Sequence, residues 1–295
     1  METSSSNFEN EYVYIKLLDK LINRFILESK KFVEYAAFLY GTVDLGAYDY
    51  KSSKLVCDFE YFAFTKSTKT LISIRNLLKV NHNEDVYMLV RSIFENYLSC
   101  RYAQETENID SFIFNPVNLA LAYYNVQPDG KIFNREKIEV GQQENPSAFK
   151  TGLDKGYYTD FYDILSRYSH CNFGTIDCYT ENNIFTIDKN SDPLLIRLFV
   201  VFVFSKIFEL VVTVEGEDFP DSRTEKKCYQ LVIESCEFQL KVMDYLNNIH
   251  QSNTDETLIY RNKRMKKLLK NMKRSLQEEL GSVDKNLGKP SHGEL

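Results

Sequence analysis

Arg91 and Glu95 stand four residues apart in a stretch, residues 86–103, whose only other charged residue is Arg101. On a helix that spacing stacks guanidinium and carboxylate on one face, and burying the pair in an apolar helix requires further partners to satisfy it. Tyr162, Ser166 and His170 follow one another at i, i+4 and i+8, so two hydroxyls and an imidazole share one helical stripe. If the two helices face each other, Arg91, Glu95, Ser166 and His170 form one polar cluster inside an apolar bundle. Two kinds of work suit such a set. One is proton transfer at the imidazole with the guanidinium holding a crowded anion, the chemistry that RNA cleavage needs. The other is architectural, a hydrogen-bond network that fixes helix register. In either case the sequence predicts that Arg91→Ala strands a buried carboxylate and destabilises the fold by several kcal/mol.

A second constellation is Arg75-Asn76-Leu77-Leu78-Lys79-Val80-Asn81-His82. Seven residues make about two helical turns, which predicts Arg75 and His82 on one face, with Arg75 among Leu71, Ile74 and Leu78. Other chemistries lack their residues. His170 with Cys171 and Cys178 offers too few ligands for zinc, neither histidine has two further ligands at coordinating spacing, and there is no Gly-rich phosphate loop, nucleophile elbow or H-E-x-x-H helix. The expectation is chemistry with no metal and no cofactor.

The elements that must position these residues are helical. Only 11 Gly and 6 Pro occur in 295 residues, too few turn formers for an all-β or loop-rich α/β domain. Apolar spacing predicts helices over 11–40, 55–80, 84–104, 117–124 and 158–171. Asp192-Pro193 opens a nearly all-apolar helix to about 214, a capping box at 222–225 opens an amphipathic one, and a last helix covers 256–280. Because residues 84–104 are apolar on almost every side, that helix is expected at the centre of the bundle. The turn-rich segment 127–156 reads as a long irregular loop and 172–190 as a second one, with a short strand over 184–187. The predicted fold class is all-α, a multi-helix bundle with a long irregular loop region and a C-terminal basic helix. Its organisation is a disordered N-terminus (1–10), a bundle domain (11–250), a basic amphipathic helix (256–280) and a flexible tail (281–295).

Charge divides the chain unevenly. The net charge is −6, made of −12 over residues 1–260 and +6 from 261 onward. The acidic body argues against broad nucleic-acid binding. The run Arg261, Lys263, Arg264, Lys266, Lys267, Lys270, Lys273 and Arg274 contains no acid and accompanies a narrow stripe of Leu258, Met265, Leu269, Met272 and Leu276. It suits RNA, an anionic surface or a paired helix, including a second copy in a homo-oligomer, and equally a solvated helix docked on the acidic body. The six cysteines form no C-x-x-C pair and no apolar leader opens the chain, which points to reduced thiols and a cytoplasmic location. The apolar segment 194–214 is interrupted by Arg197, Lys206 and Glu209, so no membrane span is expected.

Two resemblances attach to these motifs. Leu89-Val-Arg-Ser-Ile-Phe-Glu95 and Tyr162-Asp-Ile-Leu-Ser-Arg-Tyr-Ser-His170 resemble an uncharacterised bacterial all-helical family, a domain of unknown function with R-S-x-x-E and Y-x-x-L-S-x-x-x-H helices, over roughly residues 60–250. That resemblance implies a helical fold and a site position but no activity. The Arg75 to His82 segment is similar to the R-x(4–6)-H motif of HEPN nucleases, which are helical, usually dimeric and metal-independent. There the arginine would stabilise the phosphate, and the histidine would move the proton of a nucleophilic 2′-hydroxyl. The leading expectation is a cytoplasmic RNA-cleaving effector of the kind found in bacterial stress or phage defence. The alternatives are a non-enzymatic helical interaction module and a small-ligand sensor using a cavity between the Arg91 and His170 helices.

Overall fold

The computed structural model describes residues 2–40, 53–106, 125–127, 129, 131–142, 155–170, 173–187, 189, 192–212, 222–249 and 256–287. The fold is all-α. Its helices among the described residues are α1 (Glu2–Tyr40), α2 (Ser53–Lys79), α3 (Asn83–Thr106), α4 (Lys155–Ser169), α5 (Pro193–Val212), α6 (Ser222–Ile249) and α7 (Glu256–Leu287). Helix α1 begins at Glu2 and α7 runs to Leu287, so both helices extend past the bounds of 11 and 280 that apolar spacing predicts. The helix predicted over 117–124 lies outside the described residues.

Helix α5 is the hub, in contact with α1, α2, α3 and α6. Ile196, Val201, Phe202, Val203, Phe204, Ile207 and Phe208 are all fully buried, as a helix apolar on every side must be. It starts where Asp192 Oδ1 accepts the Leu194 and Leu195 N–H groups at 2.8 and 3.1 Å, with Pro193 at the first helical position where its missing N–H is harmless. Helix α3 lies beside it, between α2 and α4, with Val86, Val90, Ile93, Phe94, Tyr97 and Leu98 buried. An aromatic cluster of Phe25, Phe64, Phe204 and Phe208 joins α1, α2 and α5.

Helices α6 and α7 pack on each other. Met265, Leu269, Met272 and Leu276 of α7 are buried, while Lys273 pairs with Glu237 at 2.7 Å and Lys266 with Asp244. The helix that the narrow stripe requires is thus α6 of the same chain. Beneath α7, Lys206 Nζ meets Glu209 at 3.3 Å and lies 5.7 Å from the Tyr97 ring centroid. Glu279 of α7 is half-buried, and burial followed by the nearby Glu209 charge raises its carboxyl above the usual range, against hydrogen bonds from Ser275 and Tyr229. A raised folded-state pKa gives stability that is present below the unfolded pKa and lost as pH rises through the folded one. Glu279→Gln is therefore expected to raise the melting temperature at neutral pH. The gain should disappear near about pH 4, where the glutamate is largely protonated in both states, and thermal melts at the two pH values check it.

The segment 127–156 is not wholly irregular. Strands β1 (Asn125–Val126), β2 (Lys131–Phe133) and β3 (Glu139–Gln142) form an antiparallel sheet in that order, with a register shift at Ile132/Phe133. Ile132 anchors it in the core, and Asn134 Oδ1 accepts the Glu136 and Ile138 N–H groups to close the second turn. Strands β4 (Thr180–Glu181) and β5 (Ile184–Phe185) form a hairpin where a short strand was expected. Its two turn residues, Asn182 and Asn183, have φ of 51° and 63°, the left-handed values that asparagine tolerates and a two-residue hairpin turn needs.

Candidate functional site

Helices α3 and α4 are clamped together by rings on both sides of Arg91. Tyr87 and Tyr168 stack with centroids 3.8 Å apart at 10°. Beyond Arg91, Phe94 meets Phe161 edge-on at 5.1 Å, and the Tyr97 and Tyr158 hydroxyls hydrogen-bond at 2.8 Å. Burial, and then the neighbouring Tyr168, push the Tyr87 phenol far above its ordinary pKa, so it stays neutral. These contacts fix the helices in antiparallel register and leave Arg91 opposite Tyr162 and His170.

Arg91 organises the site with all three nitrogens. Its Nε donates to Glu95 Oε1 at 3.0 Å, its Nη2 to the Tyr162 hydroxyl at 2.7 Å, and its Nη1 contacts His170 Nε2 at 3.2 Å. The Tyr162 hydroxyl in turn donates to Glu95 Oε1 at 3.3 Å. A guanidinium only donates, so this contact is a hydrogen bond in the tautomer whose Nε2 carries the lone pair. The imidazole turns that nitrogen toward the arginine. It is also accessible, since His170 is the first residue after α4 and is exposed, with its own N–H donating to the Ser166 carbonyl at 3.2 Å.

The predicted cluster thus assembles, with two corrections. It is not sealed in the bundle: the Arg91 side chain is 17% exposed and that of Glu95 36%, so the pair lies at a solvent-reached rim. Arg91→Ala is accordingly expected to cost about 1–2 kcal/mol and not several, because the freed carboxylate regains water, and chemical denaturation of the variant checks it. Nor does Ser166 supply a hydroxyl to the cluster, because its Oγ donates to the Tyr162 carbonyl at 2.7 Å. Tyr162 takes that place. Its signal was on the same stripe, four residues before Ser166, but a phenol reaches across to α3 where a serine hydroxyl falls back on its own helix.

Arg75 and His82 are not brought together as one helical face. Helix α2 ends at Lys79, Asn81 turns left-handed at φ 61°, and the His82 N–H caps the Leu77 carbonyl at 3.1 Å. That is the arrangement of a Schellman stop. The His82 ring points to solvent and meets Asp85 at 3.5 Å, while Arg75 is half-buried on α2 with a buried Nε that has no partner. Cys171 lies outside the described residues. Among the described residues no group of three His, Cys, Asp or Glu stands close enough to hold a metal ion, and no helix is long and apolar enough to cross a membrane. Compared with protein-family models, curated proteins and solved structures, the chain matches none of them.

Proposed function

We propose that the chain is a cytoplasmic RNA-cleaving effector whose chemistry resides in Arg91, Glu95, Tyr162 and His170. The observation that carries the reading is an exposed imidazole whose Nε2 is held 3.2 Å from a guanidinium fixed on its other side by a carboxylate and a phenol. Because the guanidinium lies between Glu95 and His170, the site is built to receive an anion and repels a divalent cation, which favours cleavage without a metal. In the proposed step, His170 Nε2 takes the proton of a ribose 2′-hydroxyl as its oxygen bonds to phosphorus. The bond from phosphorus to the 5′-oxygen breaks, and that oxygen is protonated by water. A 2′,3′-cyclic phosphate and a 5′-hydroxyl result, and the imidazolium returns its proton to solvent. Arg91 swings one N–H from His170 to the phosphate, whose charge grows in the transition state. The basic helix α7 supports RNA as the partner. The test is incubation of the purified protein with end-labelled RNA in excess chelator, read for cyclic-phosphate ends. Intact RNA, in the presence and absence of cell extract, would overturn the reading.

A second reading, a non-enzymatic interaction module, is favoured by the hairpin region, where Phe173, Ile184, Phe185 and Ile187 are between 70% and 97% exposed. Apolar surface on that scale marks contact sites in soluble proteins. Replacing Phe185 and Ile187 by serine distinguishes the readings, because RNA cleavage should survive it and association with a partner protein should not.

A further inference from the structure

Resting on the RNA reading above, we infer that Lys263, Lys267, Lys270 and Arg274 form a phosphate-binding track that grips an RNA strand and supplies affinity without chemistry. The basic run of α7 divides into separate roles once the helix is docked. Lys266 and Lys273 are engaged with Asp244 and Glu237 of α6. Lys263, Lys267, Lys270 and Arg274 are exposed, and their spacing of four, three and four residues sets them within about 60° of one another around the helix. They make one straight row about 16 Å long on the side away from α6. A strand advancing about 3.4 Å per phosphate places about five phosphates along it. The row belongs to the most strongly positive stretch of the chain, residues 261–274 with eight basic residues and no acid, and the remainder of the chain is net negative, so the field draws a polyanion toward α7.

The surroundings of the row select among polyanions. A helix that lies in a membrane interface needs its apolar face free to enter the lipid, and here Met265, Leu269, Met272 and Leu276 are buried against the protein. A protein interface needs apolar or aromatic anchors at its centre, and among the described residues none of the exposed large hydrophobic side chains belongs to α7. Dense charge on a flexible backbone, with no apolar contact required, is what a nucleic-acid strand presents.

The experiment compares His170→Ala protein, which cannot cleave on the proposed mechanism, with the same protein also carrying K263A, K267A, K270A and R274A. Binding of a fluorescent 20-nucleotide single-stranded RNA is measured by anisotropy across a salt series, with vesicles of phosphatidylserine and phosphatidylcholine as a second probe. For four phosphate contacts the slope of log affinity against log salt should flatten by about 3 in the quintuple variant, and affinity near 0.1 M salt should fall by about 10²-fold. Equal RNA affinity and slope in the two proteins, or vesicle binding that depends on the row while RNA binding does not, would overturn the track. Circular dichroism confirms that α7 remains helical, as alanine permits. Failure of the track and failure of the cleavage reading are distinguishable. Protein with an intact His170 and the four alanines should still cleave at saturating RNA, with raised KM and unchanged kcat, whereas loss of the chemistry lowers kcat with the track intact.

Discussion

His170→Ala is expected to lower RNA cleavage by about 10²- to 10⁴-fold, the usual contribution of a positioned general base, while leaving the thermal midpoint at the parent's value. The second half follows from position. The imidazole is exposed, and the N–H that helps end α4 is backbone and survives the substitution. Arg91→Ala should lose cleavage too. Arg91→Lys should not restore it, because an ammonium cannot hold Glu95, Tyr162 and His170 in one plane of donors. Tyr162→Phe removes one fixing bond and leaves the others, so its loss should be smaller than that of Arg91→Ala. His82→Ala provides the contrast: with its ring turned toward Asp85 beyond the end of α2, it should cleave like the parent. Parental activity in His170→Ala, or loss of activity in His82→Ala alone, would move the chemistry out of the α3/α4 cluster.

The distinction between those two histidines shows what the residues alone could and could not convey. Helical periodicity paired Arg91 with Glu95, because that follows from local spacing on one continuous helix; the same periodicity set α3 at the centre, where the structure has α5 as the hub and α3 beside it. Facing Tyr162 and His170 toward Arg91 required the register of α3 against α4, which the stacked Tyr87–Tyr168 pair and the edge-on Phe94–Phe161 pair set. No single-helix pattern states it, although the apolar residues doing it were visible. For Arg75 and His82 the same periodic argument failed. It carried helical spacing to His82, two residues past the helix end at 80 that the sequence itself predicts, and Asn81 there adopts the left-handed conformation that ends a helix. The strands of the 125–142 sheet were missed because they are two to four residues long, shorter than an alternating pattern needs to declare itself. Burial was also misjudged at the site. A helix almost free of charge reads as buried all round, yet the few charges it does carry mark the side where it reaches water, as Arg91 and Glu95 do. Helix α5 departs from that rule: Arg197 and Lys206 are 7% and 13% exposed and are paired inside the bundle, with Asp19 and Glu209.

Arg197 carries the larger stability consequence. Only 7% of its side chain is exposed, and each nitrogen has a separate acceptor on a different part of the bundle. Its Nε donates to Asp19 Oδ1 on α1 at 2.8 Å, its Nη1 to the Pro193 carbonyl at 3.0 Å, and its Nη2 to the Leu78 carbonyl near the end of α2 at 3.3 Å. Helix α2 ends one residue after Leu78, where carbonyls lack partners within the helix, and α5 has just begun at Pro193. The guanidinium therefore joins α1, the end of α2 and the start of α5 at one buried point. Arg197→Met keeps the aliphatic stem and removes the donors. Asp19 is 41% exposed and turns to water, so the loss falls mainly on the two carbonyls and on the packing of three elements. The expected cost is about 2–4 kcal/mol, between a lost buried hydrogen-bond pair and the breaking of a fully buried ion pair, seen as a fall of about 5–10 °C in melting temperature. Asp19→Asn should cost less than about 1 kcal/mol, since the amide oxygen still accepts from Nε and the site is wet. Melting curves of both variants decide it: an Arg197→Met protein as stable as its parent would mean that water reaches the Leu78 and Pro193 carbonyls and that the junction does not hold the three helices. Because Arg197 lies outside the Arg91 cluster, the variant measured well below its melting temperature should retain parental RNA cleavage, which separates the bundle's stability from its chemistry.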